Sequence, residues 1–189
     1  ERRIKLHKPA ELPAVAIGFK GAAASSPDFP PLNLLASILS TGQSSRLYKR
    51  LVYDLEIATE AGAGLDEYVD PGLFTIFIQM QPGKTTVDAE EEVYRILHDI
   101  AENGVTDEEL QKAKNNAQVD YVNNFKTNVG IANRLGYYEV IHGDYRKSFD
   151  VLEKFGKVTG DDIRRVAAAY LGERMRTVVT LVPERQEST

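Results

Sequence analysis

The chain has no cysteine. Disulfides, zinc–thiolate sites, iron–sulfur ligation and cysteine nucleophiles are thereby excluded. A core of this size needs no covalent staple. Histidine is almost as scarce, with only His7, His98 and His142 present. None stands four residues from another, and neither HxxEH nor HxxxH occurs. No helical turn therefore offers two imidazoles to one metal ion. No serine lies in a G-x-S-x-G elbow, and no glycine-rich segment has phosphate-loop or dinucleotide spacing. Positive charge is in deficit, with 23 Lys and Arg against 28 Asp and Glu and a net charge of -5. That balance argues against a nucleic-acid surface or an anionic membrane face. No apolar run is long enough to cross a bilayer. The opening, ERRIKLHKPAELPAVAIGF, has no initiator methionine and is no signal peptide. The chain is therefore expected to be a piece excised from a longer, multidomain protein.

What is present describes one ordinary globular domain of 189 residues, 42% apolar and 27% charged. Its core is expected over about residues 12–183. LPAVAIGFK, from Leu12 to Lys20, reads as a strand with Pro13 near its start, where a missing N–H is tolerated. GAAASSPDFPP is a loop. Leu32, Leu35, Ala36 and Leu39 recur at helical spacing. Ser44 or Ser45 is placed to cap a second helix, with Leu47, Leu51 and Leu55 on one face. IATEAGAG reads as a strand against which something packs closely. Asp70-Pro71-Gly72 is a turn. Leu73 to Met80 is a strand with Phe74, Ile76, Ile78 and Met80 on one face and Thr75, Phe77 and Gln79 on the other.

The second half is mostly helical. A helix over Val87 to Glu102 turns Val93, Ile96, Leu97 and Ile100 inward. TDEE, from Thr106 to Glu109, is a capping box opening a long helical stretch, with a break expected at Gly130. Asp144 to Phe155 forms a further helix. Thr159 to Asp162 is a second capping box, before a helix lined by Ile163, Val166, Ala167 and Tyr170. Arg176 to Val182 is the last strand, followed by a polar tail. Strands interleaved with long helical stretches predict a layered α/β sandwich of α+β type.

The chemistry-bearing residues leave alternatives open. Arg46, Lys49 and Arg50 attract a peptide carboxylate or form a solvated helix face. Glu90, Glu91 and Glu92 read as a solvated helix start, where negative charge is favoured. His98 reads as a surface residue, and Tyr137 and Tyr138 as one packed and one exposed ring. No complete catalytic set is present.

The stretch STGQSSRLYKRLVYDLEIATEAGAGLDEYVDPGLFTIFIQMQPG resembles a domain of peptidase family M16, that of mitochondrial processing peptidase, pitrilysin and insulin-degrading enzyme. The likeness continues through GVTDEELQKAKN, NRLGYYEVIHGDY, VTGDDIRRVAAAYL and RTVVTLVP. It implies a two-layer sandwich on a mostly antiparallel sheet, one of a pair of homologous domains enclosing a peptide chamber. One domain of such a pair carries HxxEH and zinc. This chain resembles the other, the non-metal-binding "inactive" domain, so its own cofactor is none and zinc is expected in the partner domain. The implied partners are that HxxEH-bearing domain and a peptide substrate, without nucleic acid or membrane insertion. The implied compartment is the bacterial periplasm, and the isolated fragment is expected to self-associate. The alternative is a catalytically dead scaffold or protein-interaction domain. Many inactive domains carry RLxxxLRxxxGLAY, whose second arginine and tyrosine hold substrate. Here Arg46, Leu47 and Leu51 match the opening, but the arginine position falls on Val52 and the tyrosine position on Thr59. Arg46, Tyr48 and Arg50 are left as the substrate- or partner-facing candidates.

Overall fold

The computed structural model describes residues 1–184. A five-stranded sheet is built from β1 (Arg2–Lys8), β2 (Ala14–Lys20), β3 (Ala58–Leu65), β4 (Leu73–Met80) and β5 (Arg176–Pro183), in the order β1-β5-β2-β4-β3. All neighbours are antiparallel except β1 and β5. The helices are α1 (Phe29–Ser40), α2 (Thr86–Asn103), α3 (Asp107–Asn124), α4 (Asn128–His142), α5 (Val151–Lys157) and α6 (Gly160–Tyr170). This is the expected α+β sandwich. The polar tail beyond residue 184 lies outside the described residues.

Period-two alternation decides the core face of the sheet. Val15, Ile17 and Phe19 of β2 and Phe74, Ile76, Ile78 and Met80 of β4 are each at most 1% exposed. They join one cluster with Leu32, Leu35 and Leu39 of α1, Val93 and Ile100 of α2, and Ile163 and Val166 of α6. Each such side chain contributes about 1.5–3 kcal/mol on burial.

The opposite face is different. Strand register lines up Ile4, Val179, Ala16, Phe77 and Gly62 in one row across all five strands. A second row runs Leu6, Leu181, Ala14, Gln79 and Glu60. None of these residues belongs to the core cluster, and Ile4, Leu6, Phe77 and the neighbouring Leu73 are 41–50% exposed. A side chain added at Gly62 or Gly64 would meet nothing within 4 Å. The expected close approach to IATEAGAG therefore comes from the other side, at buried Ala58 and Ala61 and where the Ser40 hydroxyl donates to the Ala63 carbonyl at 3.0 Å.

Four local expectations need correction. β1 was not anticipated: all seven of its residues are exposed, and it exists through parallel pairing with the last strand. The sheet thus begins ahead of residue 12. Neither serine caps the second helix. Buried Ser45 leaves its hydroxyl without a partner among the described residues, while the Ser44 hydroxyl accepts from Lys112 at 2.5 Å. That helix is wound wide, as a π-helical segment over Tyr48–Asp54. The break expected at Gly130 falls earlier, between α3 and α4, and Gly130 lies in the first turn of α4 with its N–H capped by the Thr127 hydroxyl. A Cβ there would overlap the Asn124 carbonyl oxygen, so glycine is required by close approach. The helix expected over Asp144 to Phe155 begins as a 3-10 stretch (Tyr145–Asp150) before α5. Both capping boxes are present, at Thr106/Glu109 and Thr159/Asp162.

Candidate functional site

The segment from Arg46 to Thr59 runs off the end of the connection after α1, through the wide-wound helix, into edge strand β3. Leu47 and Leu51 are fully buried and anchor it to the core. This anchoring turns its basic side chains toward the helical layer rather than toward the open sheet face.

Arg46 is held by two carboxylates. Its Nε and one terminal nitrogen donate to the two carboxylate oxygens of Glu109 at 2.7 and 2.9 Å. The other terminal nitrogen donates to Asp99 at 2.9 Å. Glu109 also accepts the Thr106 N–H, so one carboxylate serves both the ion pair and the start of α3. The guanidinium beside it holds the Glu109 carboxyl below the usual carboxylate range, against the opposing effect of burial. Arg50 makes the same kind of fork to Glu92, at 2.8 and 3.3 Å, and Glu92 also accepts from Arg95. The Glu92 carboxyl is lowered in turn, chiefly by its bond from Arg50. Tyr48 is half-buried. Both arginines thus meet carboxylates of this same chain, on α2 and α3.

Val52 packs partly buried against the core, and the Thr59 hydroxyl donates to the Gln79 carbonyl at 3.3 Å across the β3–β4 ladder. Neither can replace a guanidinium or a phenol. The pattern's glycine falls on Glu56, whose φ of 49° is the left-handed conformation that glycine tolerates.

Two other surface expectations change. Glu90 is not solvated: it is 6% exposed, accepts from Arg3 of β1 at 2.7 Å and from the Tyr94 hydroxyl at 3.2 Å, and so ties the edge strand to α2. Tyr137 and Tyr138 are both packed. Tyr138 is 5% exposed, and the Tyr137 hydroxyl donates to the Glu67 carbonyl at 2.8 Å. Tyr138 stacks on His142, with centroids 4.4 Å apart, and carries Arg134 over its ring at 4.6 Å. The signal for this cluster was in the sequence, since Arg134, Tyr138 and His142 follow one another at intervals of four on one helix. His7, His98 and His142 lie on β1, α2 and α4, and no group of three His, Cys, Asp or Glu able to hold a metal occurs among the described residues.

Comparison with known proteins follows the same line. The family model described as the peptidase M16 inactive domain matches residues 1–117. The zinc protease PqqE of Helicobacter pylori is 26% identical over 183 residues, covering 96% of this chain and 41% of that protein. An uncharacterized zinc protease of Streptomyces coelicolor is 28% identical over 164 residues, covering 85% of this chain and 35% of its own length. The chain therefore spans 35–41% of the length of these two curated relatives. Among solved structures, a protease from Helicobacter pylori superimposes with a TM-score of 0.88 at 26% identity, over 96% of this chain and 44% of the other. The crystal structure of an inactive peptidase domain from Bordetella parapertussis does so with a TM-score of 0.86 at 28% identity, over 97% of each chain.

Proposed function

Because this chain belongs to the peptidase M16 inactive-domain family, we propose that it is the non-catalytic half of a zinc metallopeptidase. In that role it closes a peptide chamber and helps to position an extended substrate. The metal, the general base and the bond cleavage belong to an HxxEH-bearing domain of the same parent chain or of a neighbouring subunit. One observation carries the proposal: an inactive-domain match lies on a chain that spans only 35–41% of proteins themselves named zinc proteases. Zinc does not fit the described residues of this half, where no three His, Cys, Asp or Glu side chains come together to hold it. The open sheet face, with Ile4, Leu6 and Phe77 exposed, supports an apolar surface for the missing half. The same exposure makes self-association of the isolated fragment an expected side effect. By family analogy the parent protein is assigned to the bacterial periplasm.

Arg46, Tyr48 and Arg50 enter this proposal as the substrate- or partner-facing candidates, with the two arginines having to exchange their own carboxylates for those of a ligand. A second role, as a catalytically dead scaffold, is favoured by one observation: Val52 and Thr59 stand where the substrate-holding arginine and tyrosine would be.

The deciding experiment is zinc-dependent cleavage of a quenched, unstructured peptide by this chain alone and after addition of the upstream half of its gene product. Silence alone and turnover in combination supports the peptidase half. Chelator-sensitive turnover by this chain alone refutes it. Silence in both samples, with the upstream half folded and metal-loaded, moves the assignment to the scaffold. Alanine at Arg46, Tyr48 and Arg50 together, with unchanged turnover, removes those three from the substrate or partner surface.

A further inference from the structure

Away from the arginine helix, the loop between β2 and α1 faces the end of α4 and the start of α6 across a cleft of about 570 Å³. Its floor is apolar and stiff, formed by Pro27, Pro30, Pro31 and Val158. Its rim is cationic, formed by Lys147, Lys154 and Lys157. The lining carboxylate, Asp162, is already committed to the Thr159 N–H at 3.0 Å and the Thr159 hydroxyl at 2.7 Å.

The three lysines are not equally occupied. Lys147 donates to the His142 carbonyl at 2.7 Å, and Lys157 pairs with Glu153 one turn away, both of those side chains being largely exposed. Lys154 makes no hydrogen bond or ion pair among the described residues. A smaller cavity of about 210 Å³ adjoins the cleft and shares Ala24, Pro30, His142 and Lys154 with it. At that junction the His142 side chain is 10% exposed, its Nε2 has no hydrogen-bond partner among the described residues, and a Glu67 carboxylate oxygen lies at ion-pair distance, 3.6 Å away. A proline floor and a lysine rim, with Lys154 unpaired among the described residues, make a two-part site: an apolar trough ending in positive charge.

We propose that this cleft binds an organic carboxylate whose apolar body lies on Pro27, Pro30 and Pro31 and whose charge meets Lys154, flanked by Lys147 and Lys157. The chemistry has two sources, the free C-terminus of a peptide ending in an apolar residue and a short-chain fatty acid. Neither depends on the peptidase assignment, since the cleft lies on a different part of the domain from the Arg46–Thr59 segment.

The test is a titration of this chain, followed by backbone amide shifts, with hexanoate, hexanol and hexylamine. A domain of this extent has been crystallised by itself, so the chain is a fair sample. Hexanoate is expected to shift the amides of Ser25, Ser26, Lys154 and Val158 saturably. Exposed charge contacts of this kind favour it over hexanol by about two- to fivefold. Replacing Lys154→Gln with Lys157→Gln, both exposed, is expected to abolish that preference while leaving the thermal melting curve in place. Hexanoate binding no tighter than hexanol, shifts mapping elsewhere, or an unchanged preference in the double variant would each overturn the proposal; the first needs no variant. A second pair of ligands, acetyl-Ala-Leu as free acid and as amide, identifies the source. A free acid tighter than both its amide and hexanoate assigns the site to peptide ends, and hexanoate as the tightest ligand assigns it to free short-chain acids.

Discussion

Arg46→Met separates a structural role for this arginine from a substrate-holding one. Methionine keeps much of the aliphatic stem and removes only the charged fork. The structure sets the magnitude. The side chains of Arg46 and Glu109 are 19% and 27% exposed, and that of Asp99 is 52% exposed. Fully exposed pairs contribute about 0.2–1 kcal/mol and breaking a fully buried one costs about 3–5 kcal/mol. Charge-assisted hydrogen bonds lie between, so the expected loss is about 2 kcal/mol at neutral pH. The sign of the pH dependence follows from Glu109. Its carboxyl is lowered in the folded state from an ordinary value of 4.5, chiefly by the bond from Arg46. A lowered carboxylate contributes stability that is present above the unfolded value and lost as pH falls through the folded one. The variant lacks most of that contribution, so its deficit is expected to shrink on acidification from about pH 6 to about pH 3. Urea unfolding at both ends of that range measures it, and a cycle with Glu109→Gln isolates the pair. A neutral-pH loss below about 0.5 kcal/mol, or a deficit that does not move with pH, refutes the structural account. Unchanged stability with reduced turnover in the assembled protein would instead reserve Arg46 for substrate.

Glu56→Gly is expected to stabilise the chain, because a non-glycine residue in the left-handed region costs about 1–2 kcal/mol, more than the roughly 0.5–1 kcal/mol of added unfolded-state freedom. A melting temperature that stays or falls would contradict it. Gly130→Ala is expected to cost about 1–3 kcal/mol through overlap with the Asn124 carbonyl. Gly136→Ala on the same helix, with nothing within 4 Å, is expected to gain up to about 1 kcal/mol, and chemical denaturation compares the two. His142 is expected to titrate below the ordinary imidazole value of 6.5, because burial outweighs the opposing pull of Glu67, and Glu67→Gln is expected to lower it further. Its contribution to stability is then present above pH 6.5 and lost as pH falls through the folded value; an imidazole titration by NMR at or above 6.5 would show the reverse.

What could be read from the sequence was whatever is decided within a few residues. The faces of β4 follow from strict alternation between Leu73 and Met80, and the capping boxes at Thr106 and Thr159 close within one turn. The strand missed and the glutamate misjudged have their partners far along the chain. β1 is a strand because Arg2 to Lys8 pair with Thr177 to Pro183, and no property of the seven residues alone announces that neighbour. Glu90 is buried because Arg3 of that same strand reaches it. The basic face at Arg46 and Arg50 was open to two readings, solvated or ligand-binding. In the fold both arginines close forks on Glu109 and Glu92 of the helical layer. A cation is fitted to meet another molecule to the extent that its own chain leaves it unpaired, because desolvating and re-pairing an engaged guanidinium first costs the pair it already has. By that measure Lys154, without an ion pair among the described residues and set at the end of an apolar trough, is better placed for a foreign anion than Arg46. Arg46 matches only the opening of the family pattern, and pairing in the fold points to the lysine.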